Sequence, residues 1–181
     1  MSKLAALLAA AEEKGPKVTF SGMVDSYFTL NLTHGQDYTS PTAGYSAPPG
    51  FNLNFAKLAT VAESGPATLR LDLGFGPEGQ AISGFSPGTT NPGRLFVQQA
   101  FVAMRFGRLT VDAGRFVTPC GFEVYEAKDN WVYSHGLLFN FAMPTAHEGV
   151  RVAAALTPEI TVAATLANGS DLYTNDVGFT E

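Results

Sequence analysis

The stretch VTFSGMVDSYFTLNLT, residues 18–33, alternates between two kinds of side chain along its whole length. One parity carries apolar residues such as Val18, Phe20 and Val24, whereas the other carries mostly polar residues such as Asp25. Successive side chains of a β-strand point to opposite faces, so this period of two predicts a strand with one apolar and one polar face. The stretch is longer than the roughly 9–11 residues with which a strand crosses a bilayer. It therefore predicts a long, membrane-spanning strand.

The same alternation recurs along the rest of the chain. It is clearest in residues 67–76, where leucines and Phe75 alternate with Thr68, Arg70, Asp72 and Gly74. The pattern predicts six further strands, at residues 51–62, 67–76, 95–106, 109–117, 150–156 and 160–166. Short turns at residues 63–66, 107–108 and 157–159 alternate with long Gly- and Pro-rich loops at residues 34–50 and 77–93. Short turns on one side and long loops on the other are typical of outer-membrane barrels.

These features predict an all-β fold, an antiparallel up-and-down transmembrane β-barrel of about eight strands, or part of a larger barrel. Bacterial single-chain barrels have even strand numbers, so an eighth strand is expected. We expect it from residues 132–143; residues 172–180 and a neighbouring chain are the alternatives. The domain division is a short N-terminal helix or leader at residues 1–16 and a barrel domain at residues 17–181.

Composition agrees with a membrane-spanning β protein. Hydrophobic residues make up 45% of the chain and charged residues only 15%, below the roughly 25% of soluble domains. The longest apolar run, Leu4 to Ala11, is too short for a transmembrane helix, and it is a poor secretory signal. A net charge of -5 without a basic cluster argues against nucleic acid as a partner.

Charged residues on the strands are candidates for lining a pore. In a water-filled barrel they would lie along the path of a solute, and in a narrow barrel they would pair across strands as a polar core. Both interpretations stay open at this stage. The candidates assigned to the polar parity are Asp25, Arg70, Asp72, Arg105, Asp112, Arg115 and Arg151.

Several segments, taken in order, carry a resemblance to a known family. They are FSGMVDSYF at 20–28, LDLGFG at 71–76, VQQAFV at 97–102, DAGRFVTPCGFE at 112–123, DNWVYSHGLLFNFAMP at 129–144 and NG at 168–169. From Thr19 to about Asp171 the chain resembles the OmpL-like putative beta-barrel porin family of bacterial outer membranes. The resemblance implies the N-terminal part of such a porin, or a shortened version of it. It further implies an outer-membrane location and passive diffusion of small hydrophilic solutes or ions.

Residues 118–145 lose the alternation and are rich in aromatic side chains. The resemblance implies that the segment after the TPCG motif folds into the pore, where rings of charge select ions by sign. Its candidates for a constriction are Glu123, Glu126, Lys128 and Asp129, whose excess of acid would slightly favour cations. The alternative is an outer loop with solvated charges and aromatic residues at the membrane interface.

An enzyme or metal site is the rival from another class. Such a site could form if four side chains met in space with the nearby carboxylates: His135, His147, Glu148 and Cys120. Their spacing in the sequence matches no metal-binding or nucleophile motif. A single cysteine excludes an intrachain disulfide. We therefore expect no enzyme, no catalytic residue, no metal and no cofactor. The expected partners are outer-membrane lipid or detergent and small solutes or ions, and the sequence is compatible with a homo-oligomer.

Alternation alone does not distinguish the inside of a barrel from its outside. A soluble or lipid-binding β-barrel would bury the apolar parity and turn the polar parity outward. A structural membrane barrel with a filled lumen would transport nothing. Both remain alternatives to a porin at the level of sequence.

Overall fold

A computed structural model describes residues 15–30, 50–76 and 95–168. These residues form one antiparallel sheet in which every strand pairs with the strands before and after it in sequence. The strands are β1 Lys17–Thr29, β2 Gly50–Ser64, β3 Ala67–Phe75, β4 Leu95–Phe106, β5 Leu109–Val117, β6 Ala146–Ala155 and β7 Thr161–Ala167. A 3-10 turn, Ala127–Asp129, and a short helix α1, Leu137–Ala142, lie between β5 and β6. The all-β, up-and-down prediction is confirmed.

Most predicted strand boundaries agree closely with the observed ones. An exception is the end of β1, predicted at residue 33: the strand ends at Thr29, Leu30 lies beyond it, and residues 31–33 are outside the described chain. Strands β4 and β5 begin and end at the predicted residues, and β6 begins four residues earlier, at Ala146. The predicted leader lies outside the described residues except for Gly15 and Pro16. Of the two predicted long loops, residues 34–50 and 77–93, only Gly50 is described. The alternative eighth strand at residues 172–180 also lies outside them.

The prediction of an eighth strand at residues 132–143 is wrong, because this stretch contains α1. Strand β5 pairs directly with β6 along its whole length, from Leu109 opposite Ala154 to Val117 opposite Ala146. No strand can be inserted between two strands that already bond to each other. Within the described residues the sheet therefore has seven strands and does not close, and β1 and β7 are its edges.

Two glycines allow the tight turns that join β2 to β3 and β4 to β5. Gly65 and Gly107 open the two-residue turns between β2 and β3 and between β4 and β5, with φ angles of 57° and 65°. A positive φ at the first turn position is typical of the type II′ turn, whose twist matches that of the strands it joins. These turns set the registers of the two hairpins.

The two faces of the sheet differ sharply in chemistry. One row of directly paired residues crosses all seven strands and contains only apolar side chains: Val18, Ala62, Leu69, Val102, Ala113, Val150 and Leu166. Its five large side chains are between 43% and 81% exposed. We call this the apolar face. In water, each such side chain would forgo about 1.5–3 kcal/mol of burial free energy.

The adjacent row has the opposite character. It runs through Lys17, Glu63, Thr68, Ala103, Asp112, Arg151 and Thr165. We call this side the polar face. On the polar face Asp72 and Asp112 are buried, whereas the large side chains of the apolar face are exposed. A soluble sheet turns its apolar face to a core, whereas this sheet leaves its apolar face exposed.

Two irregularities shift the alternation by one residue. The β1–β2 ladder skips Asn54, and the β3–β4 ladder skips Gln98. As a result Leu53 and Leu58 are both exposed although they differ in parity. Such bulges re-aim the side chains that follow them. In the described residues, no helix is long and apolar enough to cross a membrane.

Candidate functional site

Residues 118–145, which we call the covering segment, lie across the polar face. The segment leaves the sheet after β5 and returns to it at β6, and its ends are joined because the Thr118 amide donates to the Thr145 carbonyl at 3.1 Å. From there it reaches β1, where the Tyr133 hydroxyl donates to the Asp25 carboxylate at 3.1 Å. It thereby contacts strands that are distant in sequence.

An aromatic cluster anchors the covering segment to the sheet. Tyr125 packs on Phe55 of β2 and Phe96 of β4, with ring centroids 6.2 and 6.5 Å away, and on Phe139 of α1 at 6.4 Å. Gly74 of β3 lies beneath these rings, because a Cβ at this position would stand 2.3 Å from Phe96. The four aromatic residues form the buried apolar cluster of the described chain.

Polar contacts within the covering segment hold its own shape. Both carboxylate oxygens of Glu123 accept from the Gly136 amide at 3.0 Å. The Asn130 side chain donates to the Val124 carbonyl at 2.7 Å and accepts from the Val124 amide at 2.9 Å. His135 stacks on Phe139 with centroids 4.0 Å apart. Glu123 therefore serves the fold of the segment.

Asp72 on β3 is the centre of a buried charged cluster. Its side chain is fully buried. The Arg70 guanidinium donates to it at 2.9 Å, the Lys57 ammonium lies 3.0 Å away, and the Gln99 amide donates at 2.8 Å. The other end of Gln99 accepts from the Val117 amide at 3.3 Å, so it also joins β4 to β5. Two cations and an amide thus compensate one buried carboxylate.

Glu126 joins this cluster to the covering segment. Its carboxylate accepts from the Lys57 ammonium and, at 3.3 Å, from the Gln98 amide. Lys57 is 10% exposed and Glu126 15%, so water screens this ion pair little. Lys57 is therefore shared between Asp72 of the sheet and Glu126 of the segment. We call Lys57, Arg70, Asp72, Gln99 and Glu126 the Asp72 cluster.

A cavity of about 370 Å³ lies between the sheet and the 3-10 turn. Its lining residues are Ser21, Gly22, Met23, Lys57, Ala59, Arg70, Glu126, Lys128 and Asp129. Lys128 and Asp129 form an exposed ion pair, and the hydrogen bond to Asp129 raises the pKa of Lys128. The covering segment thus brings three of the four predicted constriction residues to this cavity, and Glu123 does not line it.

A second charged cluster lies on the polar face between β5 and β6. The Arg151 guanidinium donates to Asp112 at 2.6 and 2.8 Å, directly across the ladder. The same guanidinium lies 4.7 Å from the centre of the Phe116 ring, which is fully buried. We call these three residues the Asp112 cluster.

The remaining predicted lining residues are placed separately. Asp25 on β1 accepts from the Asn54 amide at 2.7 Å as well as from Tyr133. Arg105 lies opposite Thr110 near the turn end of the polar face and is exposed. Neither belongs to the Asp72 cluster or lines the cavity.

The assignment of Arg115 to the polar parity requires correction. Arg115 pairs with Ala100 and Glu148, so it has the parity of Ala113 and not that of Asp112. Its guanidinium forms an ion pair with Glu148 at 3.1 Å and donates to the Val97 carbonyl at 3.1 Å. These contacts lie where the β4–β5 ladder ends. They compensate the charge of the Arg115 side chain, which is 7% exposed.

Lys57 is the principal site residue that sequence reasoning missed. Because the ladder skips Asn54, Lys57 and Asn52 lie on the same face of β2. Simple alternation places them on opposite faces, since their numbers differ by five. The available signal was that Lys57 is the one charged residue in the predicted strand 51–62. In the described residues, no three His, Cys, Asp or Glu side chains lie close enough to hold a metal ion.

Comparison with known proteins identifies one family. The family model described as putative beta-barrel porin-2, OmpL-like, matches residues 17–180. No curated protein matches the chain. No solved structure matches it either.

Proposed function

The chain belongs to the OmpL-like putative beta-barrel porin-2 family, and we propose that it forms a wall of a bacterial outer-membrane pore for passive diffusion of small hydrophilic solutes or ions. In this proposal the apolar face lies against lipid and the polar face lines the lumen. The covering segment lies inside the lumen and narrows it. The chain carries out no chemical step.

The apolar row across seven strands is the observation that carries the proposal. Its large side chains are exposed, and lipid chains supply the apolar environment that they lack in water. A soluble or lipid-binding barrel would need the same side chains to be buried. The exposed apolar face and the family membership together favour the membrane barrel over that alternative.

The polar face has the chemistry of an aqueous path. Charges inside a membrane protein are costly unless they face water or one another, and here Asp72 and Asp112 each have a cationic partner. The covering segment adds Glu126, Lys128 and Asp129 from the opposite side of the cavity. A solute that passes between sheet and segment would meet fixed charges of both signs.

A second candidate function is a structural membrane barrel without transport. It is favoured by the aromatic cluster and the Lys57–Glu126 contact, which fasten the covering segment to the polar face. If the lumen is filled, the covering segment held by these contacts is a plug. Conductance separates the two functions, because both predict the same fold and the same lipid-facing row.

The experiment first tests which face meets lipid. In a Cys120→Ser background, single cysteines replace Leu69 on the apolar face and the adjacent Thr68 on the polar face. The protein is refolded into lipid vesicles and treated with a small, charged, water-soluble thiol reagent. We expect rapid labelling at residue 68 and protection at residue 69. Labelling at 69 with protection at 68 would reverse the proposed orientation.

Transport is then measured on the unmodified protein in planar bilayers. Discrete conductance steps in potassium chloride support a pore. Correct orientation with no conductance would reject diffusion and support the structural barrel. Folding in plain buffer without detergent or lipid would reject both membrane functions.

A further inference from the structure

The two walls of the cavity carry opposite net charge. On the sheet side, Lys57 and Arg70 face the single carboxylate of Asp72, which leaves one positive charge. On the covering segment, Glu126 and Asp129 accompany the single ammonium of Lys128, which leaves one negative charge. The cavity is therefore neutral as a whole and polarised from wall to wall.

Arg70 presents unused donors on the positive wall. Its Nε and Nη2 donate to Asp72, while Nη1 makes no hydrogen bond to any part of the chain that the structure describes. The Arg70 side chain is 38% exposed, whereas Asp72 behind it is fully buried. A guanidinium held by a buried carboxylate on one edge is pre-positioned to bind a second carboxylate on another edge.

Asp129 presents an accessible carboxylate on the negative wall. Its side chain is 52% exposed, and its cationic partner is the equally accessible Lys128. Exposed pairs of this kind contribute little free energy, so a ligand cation competes with Lys128 at small cost. Glu126 is 15% exposed and already bound to Lys57, and it adds to the negative potential of this wall.

We propose that the cavity binds small zwitterionic solutes of the amino-acid type. The ligand carboxylate binds Arg70, and the ligand ammonium binds Asp129. A singly charged solute gains attraction at one wall and loses it by repulsion at the other, whereas a zwitterion is attracted at both. This inference rests on the proposed function, because it names the solutes that the proposed pore would favour.

The test uses three probes that share one carbon skeleton. They are 5-aminopentanoate, which is zwitterionic; pentanoate, which is anionic; and pentylammonium, which is cationic. Affinities are measured by ligand-observed NMR titration against the full chain refolded in micelles. We expect 5-aminopentanoate to bind roughly tenfold more tightly than either analogue, the free energy of about one charge-assisted hydrogen bond.

Two variants each remove one wall charge. Arg70→Gln is expected to bind 5-aminopentanoate no better than pentylammonium, and Asp129→Asn no better than pentanoate. Asp129 is on the exposed turn, so its variant tests the site without disturbing the sheet. Arg105→Gln is the matched control, because Arg105 lies on the same face of the sheet as Arg70 but outside the cavity. It is expected to keep the full preference.

Equal affinities for the three probes would overturn the inference, and so would a preference that survives both variants. Tighter binding of pentanoate than of 5-aminopentanoate would identify an anion site instead. Failure of the proposed function is distinguishable from these results. A chain without conductance that still prefers the zwitterion has the binding site but no pore, and a conducting chain without the preference has the pore but no such site.

Discussion

The Asp72 and Asp112 clusters are built on the same principle and differ in what they hold. In both, a buried aspartate on a strand pairs with an arginine on the polar face. The Asp112 cluster is complete within β5 and β6, with one arginine and one aromatic ring. The Asp72 cluster has a second cation, Lys57, that also bonds to Glu126 of the covering segment. Thus the charged pair on the strands contributes to the cavity where a residue of the covering segment, Glu126, also bonds to one of its members.

The largest expected effect is from removal of the central carboxylate in each cluster. Asp72→Asn leaves Lys57 and Arg70 facing a neutral amide, and breaking such a buried pair costs about 3–5 kcal/mol of unfolding free energy. Asp112→Asn leaves only the partly exposed Arg151, so we expect about 1–3 kcal/mol. Urea unfolding of the chain refolded in vesicles measures both values. Equal losses would mean that the two clusters do not differ in the way described.

Removal of the cations tests the link to the covering segment. Lys57→Met is expected to accelerate amide hydrogen exchange in residues 118–145 by roughly tenfold to a hundredfold, since about 1.5–3 kcal/mol of charged hydrogen bonding is lost. Arg151→Met is the matched control, because Asp112 and Phe116, which the Arg151 guanidinium contacts, lie in β5 and not in the covering segment. Mass spectrometry after exchange reports the segment directly. Equal acceleration in both variants would contradict the link through Lys57.

The ring in the Asp112 cluster provides a smaller and more local test. A double-mutant cycle of Phe116→Leu with Arg151→Gln is expected to show a coupling free energy of about 1 kcal/mol, in the range of a partly desolvated cation–π contact. The same cycle with Arg70→Gln is expected to show none, because Arg70 bonds to Asp72 in another cluster. The measurement is the unfolding free energy of each variant. A coupling free energy between Phe116 and Arg70 would mean that the two clusters interact.

The smallest expected effect is from an exposed pair on the same sheet. Lys17 and Glu63 lie 4.0 Å apart with side chains 79% and 53% exposed. Glu63→Gln is expected to change the unfolding free energy by less than about 0.5 kcal/mol, because water screens exposed ion pairs. Urea unfolding compares it with Asp72→Asn. A loss comparable to that of Asp72→Asn would show that burial does not distinguish these pairs.

Local patterns predicted most of the sheet, and they were less successful with the site. Alternation located all seven strands and assigned Asp72, Arg70, Asp112 and Arg151 to one face, as the ladders have them. It missed Lys57 because a skipped residue in β2 shifts the parity, which local alternation does not reveal. The excess of acid noted in residues 123–129 predicted a preference for cations. That interpretation left out the wall cations Lys57 and Arg70, which sit opposite the segment.

The sequence by itself determined the strands, their two chemically distinct faces and the tight turns, because successive side chains of a regular strand point to opposite faces. Only the tertiary structure decided that residues 118–145 lie across the polar face, that α1 replaces an eighth strand, and that Arg115 pairs with Glu148. These outcomes depend on contacts between residues far apart in sequence, such as Asp25 with Tyr133. Period-two alternation contains no information about which distant segments meet, and their packing and charge pairing determine it.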